Sequence, residues 1–222
     1  KDNTKDILKR MVHVRAYNDA DRLAVRRIAL ETAFYGEPWE RFIDDGELLA
    51  DILTLYYTDY GPEGCFVAEA EGVTAGYVIG SKDVLKMNMV LRRRVIPRIA
   101  LTCLKKAVFF RKTSFRLLIN SFIGLIKGEF LVPDVSAEYP ANLHINVGNG
   151  FRGAGIGSGL ISRYEMYLKE KGVKGVHLTT MSDTAKHFFE EHGFKVLFLK
   201  RRSFLKYYFK REFQFYVMGK KL

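Results

Sequence analysis

Leu143-His144-Ile145-Asn146-Val147-Gly148-Asn149-Gly150-Phe151-Arg152-Gly153-Ala154-Gly155-Ile156-Gly157-Ser158-Gly159-Leu160 is the stretch on which the fold reading turns. Leu143, Ile145 and Val147 alternate with His144 and Asn146, the period-two pattern of a strand with one apolar face. Gly157 to Gly172 is predicted as a helix ending at a C-terminal glycine. Glycines placed between a strand and a helix let backbone N–H groups converge on an anion that side chains would otherwise block. The helix N-terminus adds about half a positive charge, and Arg152 offers one more contact. The segment therefore reads as a phosphate or pyrophosphate cradle, with an ordinary tight turn as the other reading. It is not a Walker loop, because no Lys precedes Ser158. Nor does it sit after the first strand, where a dinucleotide fold would place it.

Working outward, Val12 to Tyr17 reads as an opening strand, followed by a helix that Asp19 or Asp21 caps. Gly36, Pro38 and Gly46 punctuate a loop around Trp39, and Leu48 to Tyr57 predicts a second helix. Cys65–Ala70 and Ala75–Gly80 flank Glu71-Gly72, the signal of a hairpin. Beyond the glycine turn, Val173–Met181 predicts a strand and Asp183–His192 a helix stopped by Gly193. Strands at about Lys195–Leu199 and Glu212–Met218 follow, separated by a basic linker containing Arg201, Arg202, Lys206, Lys210 and Arg211. The expected fold class is α/β: a mixed central sheet of about seven strands flanked by helices.

The 222 residues fit one domain, residues 1–222, and a chain that is 48% hydrophobic has enough apolar mass for a sizeable core. Cys65 and Cys103 are too few for a disulfide framework and lack metal-ligand spacing, so a reducing, cytoplasmic setting is expected. The longest stretch free of Asp, Glu, Lys and Arg is 13 residues, Tyr139 to Phe151, too short for a spanning helix of about 20. Lys1 to Asp6 shows no apolar signal-peptide core.

The net charge of +11 is localised. Twelve bases and a single acid, Asp83, lie between Lys82 and Lys127, and the remainder of the chain balances. Residues 84–135 read as a helical insertion. Pro97 suits the first turn of one helix running to about Lys112, and Phe115, Leu118, Ile119, Phe122, Ile123 and Ile126 follow helical spacing in another. The insertion has several readings: a lid that draws in a polyanionic ligand, an anionic membrane surface reached through residues 84–127, or a nucleic-acid surface without a recognised motif. In the plainest reading it is a cap whose apolar face packs on the domain.

Arg152-Gly153-Ala154-Gly155-Ile156-Gly157 resembles the Arg/Gln-x-x-Gly-x-Gly/Ala signature of the GCN5-related N-acetyltransferase (GNAT) superfamily, and the order of elements over about 12–83 and 137–220 agrees. Tyr139 to Val147 and Gly172 to Leu178, together with Tyr56–Tyr60 and Cys65–Glu69, more narrowly resemble the acetyltransferase-like domain of O-GlcNAcase and its bacterial relatives. The resemblance implies an acetyl-CoA (coenzyme A) site. The pantetheine arm would lie beside the strand carrying Ile145 and Val147, between it and Val176–Thr180. The pyrophosphate would rest on the amides of Gly153, Ala154, Gly155, Ile156, Gly157 and Ser158, with Arg152 beside them. The implied reaction is direct attack of a primary amine, small-molecule or peptide, on the thioester, without a metal.

Three positions depart from that pattern. The family's usual Asn before the last helix is Ser182, three residues ahead of Ala185. The tyrosine that protonates the departing thiolate is Phe189. Asn146 stands where the narrower group often has Asp. These departures admit a second function, an acyl-CoA-binding protein with weak or lost turnover, and a third, a peripheral membrane protein. Candidate catalytic groups are His144, sharing a strand face with Asn146, and Tyr139 from the entering segment. His144 reads equally as a structural histidine, and Tyr139 as a packed surface residue. His187 and His192 read as surface residues. Glu129, Asp134 and Glu138 read as a solvated loop or as a selector for a cationic amine.

Overall fold

A computed structural model describes residues 12–222, so the reading of Lys1 to Asp6 falls outside the described residues. The strands β1 (His13–Ala16), β2 (Cys65–Ala70), β3 (Val73–Ser81), β4 (Ala141–Val147), β5 (Gly175–Thr180), β6 (Lys195–Arg202) and β7 (Phe213–Lys221) join in one sheet ordered β1-β2-β3-β4-β5-β7-β6. Every neighbouring pair is antiparallel except β4 with β5. At the β2–β3 turn Glu71 and Gly72 both take positive φ (53° and 76°), the geometry a two-residue hairpin needs to follow strand twist. Arg201 and Arg202, read from sequence as linker, instead extend β6. The Arg202 guanidinium lies 3.3 Å from the centre of the Phe215 ring on β7, which holds that end of the strand pair together.

Two helices on each side cover the sheet. On one face α1 (Arg22–Thr32) and α2 (Gly46–Asp59) enclose Val25, Ile28, Leu55, Val67, Tyr77 and Ile79. The α1 end is tied to α2 by the buried Arg26 guanidinium, paired with Asp51 and Glu47. Asn18, rather than Asp19 or Asp21, provides the cap at the entry to this region. Its side chain accepts from Ala20 N at 2.9 Å, while Asp21 accepts from Asn18 N at 2.9 Å in a reciprocal box. A short 3-10 turn, Asp19–Asp21, therefore precedes α1. On the other face α6 (Ile156–Glu170) and α7 (Asp183–Glu191) pack Leu160, Ile161, Tyr164, Leu168 and Phe189 against Leu143, Val176 and Leu178.

The basic segment connects β3 to β4, and Pro97 stands in the first turn of its second helix, which ends at Lys105 rather than near Lys112. α3 (Val84–Val90), capped by Asp83 accepting from Lys86 N, runs through a π-turn at Leu91–Val95 into α4 (Ile96–Lys105). Pro97 thus follows a π-turn, where the altered bonding pattern tolerates its missing N–H. A 3-10 turn at Val108–Phe110 leads to α5 (Lys112–Ile126). The plainest reading of the sequence is overturned at α5, whose small and polar side packs inward. Ser114 N and Oγ donate to Asp44 at 2.9 and 2.8 Å, and Gly124 lies against Glu129 and Phe130. Phe115, Leu118, Ile119, Phe122, Ile123 and Ile126 are exposed.

One glycine is fixed by close approach. A Cβ on Gly80 of β3 would stand 2.2 Å from the Tyr164 hydroxyl and 2.3 Å from the Asn142 carbonyl. That carbonyl accepts the Tyr164 hydroxyl at 2.7 Å, so α6 is bonded to the start of β4 through the gap the glycine leaves. Gly80→Ala is expected to lower stability by about 3 kcal/mol through overpacking, and thermal unfolding would show a drop of several degrees in Tm.

Candidate active site

β4 and β5 are paired only at Ala141 with Val176 and Asn142 with His177. Beyond that point the two parallel strands part. β4 stays registered with β3 up to Val147, and β5 stays registered with β7 up to Thr180. The side of Leu143–Val147 that faces β5 therefore has no ladder partner, leaving a wedge lined by backbone polar groups that need hydrogen bonds. Ile145 and Val147 turn their side chains to the α6 core, half-buried, so only their backbone faces the wedge.

The open end of the wedge meets the glycine turn. Gly153 (φ 81°) and Gly155 (φ 76°) are both left-handed, and Gly155 leads directly into α6 without a side-chain cap. The first helical bond is from Gly159 N to Gly155 O, so the N–H groups of Ile156, Gly157 and Ser158 are free of helical partners. Arg152 is exposed, with Nε 3.4 Å from Val147 O. Gly157 admits the Phe188 ring, which a Cβ would meet at 2.9 Å, and this draws α7 against α6. Ser158 is held by its hydroxyl rather than left free: it bonds His192 Nε2 at 2.9 Å, while His192 Nδ1 bonds Phe188 O at 2.7 Å. His192 is therefore a brace between two helices. Ser182 is the cap of α7, its Oγ accepting from Ala185 N at 3.2 Å. Phe189 lies in the core against Phe188 and Phe194, 5% exposed.

Across the sheet, a cavity of about 300 Å³ opens between α1, α2, the α3–α4 run and the polar face of β4. His144 and Asn146 both reach it, in agreement with their shared strand face. Asn146 Nδ2 donates to the Tyr77 hydroxyl at 2.7 Å, and Asn142 Nδ2 donates to the Tyr57 hydroxyl at 3.1 Å. Asn142 Oδ1 in turn accepts from Ser81 N at 2.9 Å. The His144 ring meets Tyr57 edge to face, with centroids 5.7 Å apart. Burial raises both Tyr57 and Tyr77, so each is a protonated phenol at neutral pH and serves as a hydrogen-bonding group rather than a base. His144 lines the cavity among many protein atoms, with part of the residue accessible to solvent. Removal from bulk solvent, and to a smaller degree the neighbouring His177, holds the imidazole below its ordinary pKa, so it is neutral at pH 7.

Tyr139 lies at the closed end of the wedge. Its ring packs beside Gly175 and Gly219, and a Cβ on Gly219 would stand 2.9 Å from it. Its carbonyl bonds His177 Nδ1 at 2.7 Å. The three acids near the segment do not converge on the cavity. Glu129 is buried and accepts from Ser203 N and Oγ at 2.7 and 2.5 Å, Asp134 accepts from Ser136 N, and Glu138 pairs with Lys221. His187 is exposed beside Glu190. Sequence reasoning missed the tyrosine pair, Tyr57 with Tyr77, and Asn142. Their polar partners come from three separate elements, and the available signal was the adjacency of Tyr56 and Tyr57 on a helix facing the strand that carries Tyr77.

Residues 116–194 match the acetyltransferase (GNAT) family. Among solved structures, the crystal structure of SsHAT superposes with a TM-score of 0.73 at 24% identity, covering 95% of this chain and 98% of that one. YncA, a putative acetyltransferase from Salmonella typhimurium solved with its cofactor acetyl-CoA, gives 0.58 at 16% identity over 96% of this chain and 94% of that one. The polyamine N-acetyltransferase of Drosophila melanogaster gives 0.58 at 15% identity, over 95% and 100%. The chain has the GNAT fold, with the seven-strand mixed sheet and parted central strands of that class. The matched residues 116–194 run from α5 through the wedge and the glycine turn to the end of α7.

Proposed function

We propose that this protein, as one domain over residues 1–222, is an N-acetyltransferase that binds acetyl-CoA and acetylates a primary amine with a compact, apolar body. The observation that carries the reading is the position of the wedge. It lies between the glycine turn on one side of the sheet and an open, mainly apolar cavity on the other. Ile145 and Val147 would offer backbone groups to the pantetheine arm. The amides of Gly153, Ala154, Gly155, Ile156, Gly157 and Ser158 would hold the pyrophosphate beside Arg152, and Ser182 lies at the wedge mouth, where its hydroxyl already serves α7. Bound there, acetyl-CoA supplies an acetyl group activated as a thioester.

The chain's own contributions are positioning and proton transfer. Neutral His144 takes the proton of the incoming amine, directly or through cavity water. Tyr77, fixed by Asn146, and Tyr57, fixed by Asn142, orient the amine. Phe189 has no proton to give, so the sulfur leaving group takes its proton from water at the open wedge. Tyr139, packed between two glycines, serves the closed end of the wedge as a structural support. None of the cavity's lining side chains is Asp, Glu, Lys or Arg. A polycationic acceptor would have to leave its charges without partners there, at a cost of several kcal/mol. Kinship with the acetyltransferase-like domain of O-GlcNAcase is part of this proposal and rests on the sequence resemblance alone.

Release of coenzyme A thiol from acetyl-CoA, measured across a panel of amines, tests the reading. Arylalkyl amines are expected to turn over at least tenfold faster, by kcat/KM, than spermidine. Faster turnover of spermidine would refute the apolar acceptor. Acetyl-CoA binding without turnover of any amine would select the second reading, a binding protein.

A further inference from the structure

α5 is amphipathic with its polarity reversed relative to the domain it packs on. Ser114 and Gly124 face inward, while Phe115, Leu118, Ile119, Phe122, Ile123 and Ile126 form a continuous outward row. Among the described residues nothing covers this row. Phe110, in the turn before α5, is 90% exposed, Leu125 in its last turn is exposed as well, and Leu131 and Val132 extend the apolar surface past the helix end. A helix that turned this face inward would bury six large apolar side chains, a strongly favourable change. The contacts of Ser114 with Asp44 and of Gly124 with Glu129 prevent that rotation.

The charge of the same segment identifies the partner. Lys112 and Lys127 bracket the apolar row, and of the twelve bases between Lys82 and Lys127 only Lys86 and Lys106 stand within salt-bridge distance of a carboxylate among the described residues. A second copy docked through this face would set one strongly basic segment against another. A nucleic acid would satisfy the charge and could stack bases on Phe110, Phe115 and Phe122, but it would leave the aliphatic majority of the face, Leu118, Ile119, Ile123, Leu125 and Ile126, in water. An anionic lipid surface meets both features, taking apolar side chains below its headgroups and lysines at their level.

We propose that the outward face of α5, with Phe110, docks on the surface of an anionic bilayer. No helix among the described residues is long and apolar enough to cross a membrane, so the contact is peripheral. Co-sedimentation of the intact protein with vesicles of phosphatidylcholine alone, or mixed with phosphatidylglycerol, tests it. Binding is expected with the mixed vesicles, to be absent with phosphatidylcholine alone, and to weaken as salt rises well above about 0.1 M. The double variant Leu118→Ser/Phe122→Ser should bind at least tenfold more weakly, and Lys112→Gln/Lys127→Gln about tenfold or more. Circular dichroism confirms that each variant is folded, and the lipid and salt dependence of the wild type decides the matter should a variant unfold. Absence of binding to the mixed vesicles, or equal binding to both kinds, overturns the proposal. Lipid-free dimerisation that Leu118→Ser/Phe122→Ser abolishes would likewise overturn it and make the face an interface between copies.

Discussion

Gly155→Glu is expected to abolish acetyl-CoA binding while leaving the domain folded. Gly155 has φ 76° and ψ 3° and is the residue from which α6 departs. A side chain there incurs about 1–2 kcal/mol of left-handed strain, tolerable in a domain of this size. The larger effect is electrostatic. The carboxylate would sit at a helix N-terminus whose first amides have no helical partners, and would take the place proposed for the pyrophosphate. Two anions at one cradle oppose each other by several kcal/mol, so affinity should fall by at least about a hundredfold. Calorimetric titration of the wild type should saturate and that of the variant should show no binding heat. Gly155→Ala, which adds strain without charge, should lose about tenfold at most. Wild-type affinity in Gly155→Glu would refute the cradle, whereas failure of the wild type itself to bind would refute the acetyl-CoA reading altogether.

The glycine turn was legible in the sequence because its requirements are local. Strand alternation, positive-φ glycines and a helix start all lie within residues 143–160. The same holds for the hairpin at Glu71-Gly72 and for the core helix that begins at Ile156. The helical insertion was visible in its periodicity, but the direction of its apolar face was not. Spacing shows that Phe115, Leu118 and Phe122 share a face. It does not show that Ser114 bonds Asp44 from 70 residues away, and it is this contact that turns the face outward. The cavity was hidden for the same reason. Tyr57, Tyr77, Asn142 and Asn146 become two hydrogen-bonded pairs only when α2, β3 and β4 are in register. Ser158 and Ser182 show a further limit, since each hydroxyl has a conventional structural partner, His192 and Ala185 N respectively, that residue type alone does not reveal.

His144→Gln separates a proton acceptor from a structural histidine. The imidazole is held below its ordinary pKa by burial first and by His177 second, with the protonated phenols of Tyr57 and Tyr77 as its other titratable neighbours. A depressed value means that the folded protein keeps His144 neutral at pH 7, and that protonation begins only below about 6.5, the ordinary histidine value. Wild-type kcat/KM should therefore hold steady through neutrality and fall on the acid side as the acceptor is lost. In His144→Gln the rate at pH 7.5 should drop about 10²- to 10⁴-fold, and the acid limb should disappear. Stability carries the same sign. The unfolded chain takes up this proton near pH 6.5 and the folded chain does not, so the wild type loses stability as pH falls from there toward the folded value. Unfolding of His144→Gln should be less sensitive to pH over that window. A variant that flattens the stability curve but keeps the wild-type pH–rate profile would make His144 a packing residue, and proton removal would then fall to water held between Tyr57 and Tyr77.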